Sequence, residues 1–244
     1  VTDHAVPAGG RDPDGTGGPH AFVDDLDRPV LTDGDRHHLG RVLRLRDGDP
    51  LTVADGAGRW RPCRFGPELE PAGPVVAVPA PVPAVTVGFA PTKGDRPEWA
   101  VQKLTELGVD RVVLLVCDRS VVRWDAERAA RHLDRLRSVA REAAMQCRRS
   151  RLAVLEGPVP VGSVLGEPGA ARAEAGGGAP SLERPVVLVG PEGGWSDAER
   201  SDGAATVGLG PHVLRTETAA VAAGAVLAAL RSGVVSVTPP HRRR

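Results

Sequence analysis

Two glycine-bearing segments hold the residue types that could do chemistry. The first is Gly190-Pro191-Glu192-Gly193-Gly194. It follows the apolar run VVLVG (186–190) and precedes Ser196 and Glu199, an S-x-x-E capping box that predicts a helix start. Ligands of open α/β sheets bind at the carboxyl ends of strands, and glycine lets backbone approach a ligand closely. The second segment is Leu209-Gly210-Pro211-His212-Val213-Leu214-Arg215-Thr216-Glu217-Thr218-Ala219. There a strand ends, a Gly-Pro turn follows and a helix begins. Thr216 could cap that helix, and Glu217 suits its positive end. Arg215 does not: a cation just before a helix N-terminus is electrostatically unwelcome, so its presence implies an anionic partner, either a ligand, Glu217 or Glu192. Neither segment carries the G-x-G-x-x-G or GK[ST] spacing of the common nucleotide-binding loops.

Alternating strands and helices must position these loops. VTVGFA (85–90) and RVVLLVC (111–117) read as buried strands, 97–107 as a helix stopped by Gly108, and 125–147 as a long amphipathic helix with Leu133, Leu136, Ala140, Ala143 and Cys147 on one stripe. LAVL (152–155), VVLVG and ATVGLG (205–210) read as further strands, and 216–229 as a helix of small residues. The pattern predicts an α/β domain with a mostly parallel sheet over 84–236. Before it, short apolar segments separated by Asp33-Gly34, Asp47-Gly48 and Asp55-Gly56 predict a small β-rich barrel or sandwich over 19–80, joined by a Pro-rich linker. Residues 1–18 read as a disordered extension, 166–184 as a flexible low-complexity loop, and 237–244 as a tail.

The chain has 244 residues, with 31 basic and 31 acidic side chains. Zero net charge excludes a histone-like or polybasic membrane protein, though not a local basic patch. Three widely spaced cysteines argue against a disulfide framework and a zinc site, so no metal is expected. The longest apolar run, 219–230, is too short to span a bilayer, so no membrane partner is expected and the cytoplasm is the default compartment. Tyr is absent, and the only lysines are Lys93 and Lys103. Arg36, His37, His38, Arg41, Arg44 and Arg46 form one basic patch. Gln146, Arg148, Arg149 and Arg151 form a second, and Lys93, Arg96, Gln102 and Lys103 a third polar cluster at a helix start. Such patches suit a phosphate backbone.

Taken together, V-G-P-E-G-G (189–194), L-G-P-H-V-L-R-T-E-T-A (209–219), H-H-L-G-R-V-L-R (37–44), the stretch from Lys93 to Gly108 and the helix from Arg141 to Arg149 resemble the small-subunit ribosomal RNA methyltransferases of the RsmE family, in the SPOUT superfamily, which methylate N3 of a uridine. The chain departs from the family pattern at Met145, where Glu is usual, and at His212, where Arg is common. The resemblance implies a PUA-like RNA-binding barrel followed by a trefoil-knotted α/β domain, acting as a homodimer on 16S ribosomal RNA of the small ribosomal subunit. It implies S-adenosylmethionine (S-adenosyl-L-methionine) held by Leu188, Val189, Gly190, Pro191, Glu192, Gly193, Gly194, Leu209, Gly210, Val213, Leu214, Thr216, Thr218 and Ala219. RNA contacts would come from Arg36, His38, Arg41, Arg44, Lys93, Arg96, Gln102, Lys103, Gln146 and Arg149. Arg215 is the candidate cation for an anionic uracil, and Glu217 the candidate base or orienter. A SPOUT enzyme with another target, a ribose 2′-hydroxyl or guanine N1, and a non-catalytic RNA-binding assembly factor are the rival readings.

Overall fold

A computed structural model describes residues 10–201 and 203–236. The chain divides into two units.

The first unit comprises residues up to Pro81 together with Arg141–Leu152. Strands β1 (His20–Phe22), β2 (Pro50–Ala54) and β3 (Arg59–Arg64) pair in order, β1 parallel to β2 and β2 antiparallel to β3. Two short strands, β4 (Glu70–Pro71) and β5 (Val76–Ala77), share the other edge of β3. Leu39, Leu51, Val53 and Cys63 fill the core. Helix α1 (Asp33–His37) is capped by Thr32 and runs directly into a π-helical turn, His38–Val42. The segment Arg141–Leu152 completes the unit: Arg141 pairs with the buried Asp35 at 2.6 Å, and Ala144 packs with Phe22 and Ala54. Burial raises the Asp35 pKa, but the Arg141 and Thr32 hydrogen bonds outweigh it and hold the carboxyl below its ordinary value.

Part of the expected disordered extension is ordered. Gly10 N–H donates to Ala77 O at 3.0 Å, Trp60 Nε1 donates to Arg11 O at 2.7 Å, and Asp12 accepts from Ser150 N–H at 2.8 Å. Paired backbone and a buried donor, Ser150, tether 10–18 where composition alone suggests a loose arm; residues 1–9 lie outside the described residues.

The second unit comprises Val82–Ala140 and residues from Ala153 onward. Its sheet contains β6 (Thr86–Phe89), β7 (Arg111–Val116), β8 (Val154–Pro160), β9 (Ala170–Gly178), β10 (Val186–Val189) and β11 (Ala205–Val207). Their order is β11-β9-β10-β6-β7-β8, and every pairing is parallel. Parallel pairing requires crossovers. These are supplied by α2 (Arg96–Glu106), α3 (Ala126–Cys147), α4 (Val161–Leu165) and α5 (Asp197–Arg200), and α6 (Thr216–Arg231) is the last element among the described residues. Phe89, Leu104, Leu136, Val187 and Leu227 are buried in the main core. Gly224 lets α6 lie close on α2: a Cβ there would stand 2.6 Å from Leu104 Cδ2.

The segment 166–184 is not a flexible loop. Its middle is β9, which lies between β10 and β11. AARAEAGGG offers no branched side chains, and its alternation is short and built on alanine, yet an interior parallel strand asks mainly for backbone pairing on both edges. Glycine is required at its end: a Cβ on Gly177 would stand 2.5 Å from the Val207 carbonyl carbon. Arg172, on the same strand, is buried and donates to the carbonyls of Glu199 and Arg200 at 2.8 and 3.3 Å, a cation holding the C-terminal end of α5. The expected tail 237–244 lies outside the described residues.

Candidate active site

The site forms where β10 and β11 end. After Val189 the chain turns through 190–195, with Gly194 N–H donating to Pro191 O at 2.8 Å and Gly194 at φ +69°, a left-handed conformation natural to glycine. The expected capping box is present: Ser196 accepts from Glu199 N–H, and the Glu199 side chain accepts from Ser196 N–H at 2.7 Å. The other Glu199 oxygen accepts from Asp118 N–H at 2.9 Å, and Arg119 donates to Gly193 O at 3.2 Å, so the 118–124 loop is fastened to the glycine turn.

After β11 the chain passes Gly210 at φ +137° and enters α6. Thr216 is not the cap of that helix. Arg215 occupies the cap position, and the Thr216 hydroxyl donates instead to Gly190 O at 3.1 Å, joining the two turns.

Between the turns lies a cleft of about 590 Å³. Val189, Gly190, Pro191, Glu192, Gly194, Leu209, Gly210, Val213, Leu214, Thr216 and Ala219 line it, as does Arg215. Three residues expected there do not. Leu188 is fully buried beneath, Gly193 faces Arg119, and Thr218 is exposed on α6. Ala173, Glu174, Ala175, Trp195, Arg200 and His212 also line the cleft, although sequence reasoning assigns them no role there. Trp195 sits directly between the glycines and the capping box, a position that could have marked it. The β9 residues carry no such mark.

Arg215 is exposed, and its side chain makes no hydrogen bond or ion pair among the described residues. Glu217 is buried, does not line the cleft, and lies 3.6 Å from Arg96 through Oε1. Its Oε2 has no hydrogen-bond partner among the described residues. The partner suspected for Arg215 thus belongs to a different arginine. Burial pushes the Cys117 thiol up to about 12 and the Cys63 thiol to about 11, so neither is a thiolate nucleophile at neutral pH.

The expected RNA-binding residues are distributed as follows. His38, Arg41 and Arg44 are exposed on or beside the π-helical turn, with Val42 and Leu43 exposed among them. Arg36 is half-buried and donates to Gly66 O at 2.7 Å, a contact within the fold. Gln146 is exposed, while Arg149 is half-buried, its carbonyl accepting from His20 Nε2 at 3.2 Å. The cluster on α2 is not one cluster. Lys103 pairs with Glu106 at 2.9 Å near the far end of the helix, Arg96 is held by Glu217, and Gln102 is exposed. Lys93 lines a separate cleft.

Among the described residues, no helix is long and apolar enough to cross a membrane, and no group of three or more side chains could hold a metal ion.

The fold and this site define an RNA-methyltransferase chain. The RNA methyltransferase domain family matches residues 78–228, and the RNA methyltransferase PUA domain family matches 31–66. Ribosomal RNA small subunit methyltransferase E of Mycobacterium bovis is 37% identical, over 81% of this chain and 85% of its own. The Bacillus subtilis enzyme of the same name is 28% identical, over 78% and 85%. A probable rRNA-methyltransferase from Porphyromonas gingivalis superposes with a TM-score of 0.76 at 27% identity, over 89% of this chain and all of that one. Ribosomal RNA small subunit methyltransferase E from Neisseria gonorrhoeae, solved bound to S-adenosyl methionine, superposes with a TM-score of 0.71 at 27% identity, over 87% and 97%. The chain belongs to the ribosomal RNA small subunit methyltransferase E family.

Proposed function

We propose that this protein uses S-adenosylmethionine to methylate N3 of one uridine in 16S ribosomal RNA of the small ribosomal subunit. The observation that carries this reading is the cleft itself: two glycine turns, distant in sequence, meet around it, with an unpaired arginine at the second turn. Relatives that span most of the chain are named for small-subunit ribosomal RNA methylation, and one was solved with the cofactor bound.

The residues fit that cofactor. A cleft of about 590 Å³ falls within the usual range for cofactor sites, roughly 300–1,000 Å³. Val189, Leu209, Leu214 and Ala219 offer apolar walls to a flat base, while the 190–194 and 209–214 backbones offer polar groups. Leu188, buried beneath, and Gly193, packed on Arg119, support the first turn from outside the lining. When bound, the cofactor supplies an electrophilic methyl group on a sulfonium.

The protein's task is alignment and management of one proton. Uracil N3 carries a proton at neutral pH, and the ring becomes anionic as it leaves. Arg215, exposed and unpaired, stabilises that charge. Glu192 and His212 are titratable groups of the cleft whose side chains have no hydrogen-bond partner among the described residues, and either could accept the proton. Glu217 acts as an orienter: it holds Arg96 and does not reach the cleft. RNA is drawn in by His38, Arg41 and Arg44 of the PUA unit and by Gln146.

The same reading includes the trefoil-knotted SPOUT topology, a homodimer, and action in the cytoplasm. Exposed Val226, Val234 and Val235, in and just after α6, give a second copy an apolar surface. Calorimetric titration with S-adenosylmethionine tests the cofactor, since a pure RNA binder shows no heat. Mass mapping of 16S ribosomal RNA from cells with and without the gene tests the product. The expected result is one missing methyl on a uridine base; a missing ribose or guanine methyl would overturn the target.

A further inference from the structure

The second unit has another cleft, of about 420 Å³, that the proposed methyl transfer does not use. Thr92, Lys93, Gly94 and Pro97 form one side, from the carboxyl end of β6 to the start of α2. Arg123, Trp124, Arg128 and His132 form the other. The rings of Trp124 and His132 stack at 4.2 Å and 11°. Three cations therefore face a space with an aromatic wall. Its acid, Glu98, is already neutralised by Arg135 at 3.0 Å.

Two details point to a ligand. The Thr92 hydroxyl is buried, 4% exposed, and has no hydrogen-bond partner among the described residues, a state that costs free energy unless something else satisfies it. Arg128 stands in the first turn of α3, the end of a helix that disfavours cations. Neither its side chain nor that of Lys93 has a partner among the described residues, and both are exposed. The same loop that carries Arg123 and Trp124 is bonded through Arg119 to Gly193 of the cofactor turn. The two clefts therefore share one supporting loop.

We infer that this second cleft is a subsite for a nucleotide of the substrate RNA that neighbours the methylated uridine. Lys93, Arg123 and Arg128 hold its phosphate, the Thr92 hydroxyl bonds the phosphate or ribose, and the Trp124–His132 wall packs its base. The inference rests on the proposed function for the identity of the polymer, and it assigns to RNA recognition four residues, Thr92, Arg123, Trp124 and Arg128, that lie outside the basic patches visible in the sequence.

The test uses the full chain and unmodified small-subunit ribosomal RNA made by transcription in vitro. RNA affinity is measured across a series of salt concentrations for the wild type, for the double variant Arg123→Ala/Arg128→Ala, and for Trp124→Leu. S-adenosylmethionine affinity is measured alongside by calorimetry. The arginine pair should weaken RNA binding roughly tenfold and flatten the salt dependence by about 0.7 in log–log slope for each phosphate that is no longer neutralised. Trp124→Leu should weaken binding with the slope kept, and cofactor affinity should hold in both. Trp124 packs partly on the core and its variant could misfold, but the two arginines are exposed, Arg123 donating only to the Asp118 carbonyl of its own loop at 3.2 Å, and theirs should keep the fold. If the wild type binds cofactor and RNA and the arginine variant matches it in affinity and slope, the subsite is overturned and the proposed function stands. If the wild type binds neither, the proposed function fails and the subsite with it.

Discussion

The Thr216 hydroxyl donates to the Gly190 carbonyl at 3.1 Å, so the first residue of α6 holds the first residue of the other glycine turn. One hydrogen bond thereby couples two segments 26 positions apart across the floor of the cleft. Replacing Thr216 with Val keeps the shape and removes the donor. The expected cost is about 1 kcal/mol of stability, with a severalfold weaker grip on S-adenosylmethionine. Calorimetry and a thermal melt read the two effects; an unchanged cofactor affinity would show that the turns are aligned by other contacts.

Gly190 also faces the Trp195 ring. A Cβ at 190 would stand 3.0 Å from Trp195 Cε2, and the ring is 3% exposed with its Nε1 donating to Ala173 O at 3.1 Å. The ring has little room to yield. Gly190→Ala should lower stability by about 1–3 kcal/mol and weaken cofactor binding. A wild-type melting midpoint in this variant would count against the rigidity of that wall.

Arg215 separates function from stability. Its side chain is exposed and unpaired at a helix N-terminus. Arg215→Ala should leave stability unchanged or raise it by about 0.3–1 kcal/mol. Methyl transfer in a single turnover should fall by roughly 100–1,000-fold, the usual loss when a group stabilising developing negative charge is removed. Near-normal turnover would remove Arg215 from the chemistry.

For Glu217→Gln the expectation follows from Arg96. The amide keeps the size of the side chain and drops the charge that faces the guanidinium at 3.6 Å. Single-turnover methylation should fall, but the pH profile of the remaining rate should keep its shape, as befits an orienter. A profile that loses its rising limb would restore Glu217 as the base.

His20 predicts a pH dependence of folding. Its Nε2 lies 3.2 Å from Arg149 O, which only accepts, so Nε2 carries the hydrogen and Nδ1 accepts from the Thr52 hydroxyl at 2.7 Å. Burial pushes the imidazole from 6.5 down to about 4. The folded state therefore refuses a proton that the unfolded chain takes up below pH 6.5. This contribution to stability is complete above pH 6.5 and is lost progressively as pH falls toward 4, where the folded ring also protonates. The loss amounts to about 3 kcal/mol across that window, from 1.36 kcal/mol per unit. Denaturant unfolding of His20→Gln against wild type should diverge there; parallel curves would mean the ring is charged in the folded protein.

Much of the site is legible in the sequence because its signals are local. A glycine turn before a capping box, and a cation where a helix begins, each fit within a few residues, and Ser196, Glu199 and Arg215 lie where those signals put them. Helix α2 follows from its glycine stop and α3 from its apolar stripe for the same reason. What escapes is set by distant partners. Strand β9 owes its existence to β10 and β11 on its flanks rather than to AARAEAGGG. The direction in which Glu217 points depends on Arg96, 121 positions earlier by sequence number, and nothing near 217 marks it. The order of 10–18 depends on Ala77, Trp60 and Ser150, none of them close in sequence.

The first unit is finished by a piece of chain that comes much later, Arg141–Leu152. During synthesis, Asp35 has no Arg141 and His20 has no Arg149 carbonyl until more than a hundred further residues have been made. The first unit therefore cannot mature first and wait. Its last contacts form only after β6, α2, β7 and most of α3 have left the ribosome, so the two halves of the enzyme come of age together.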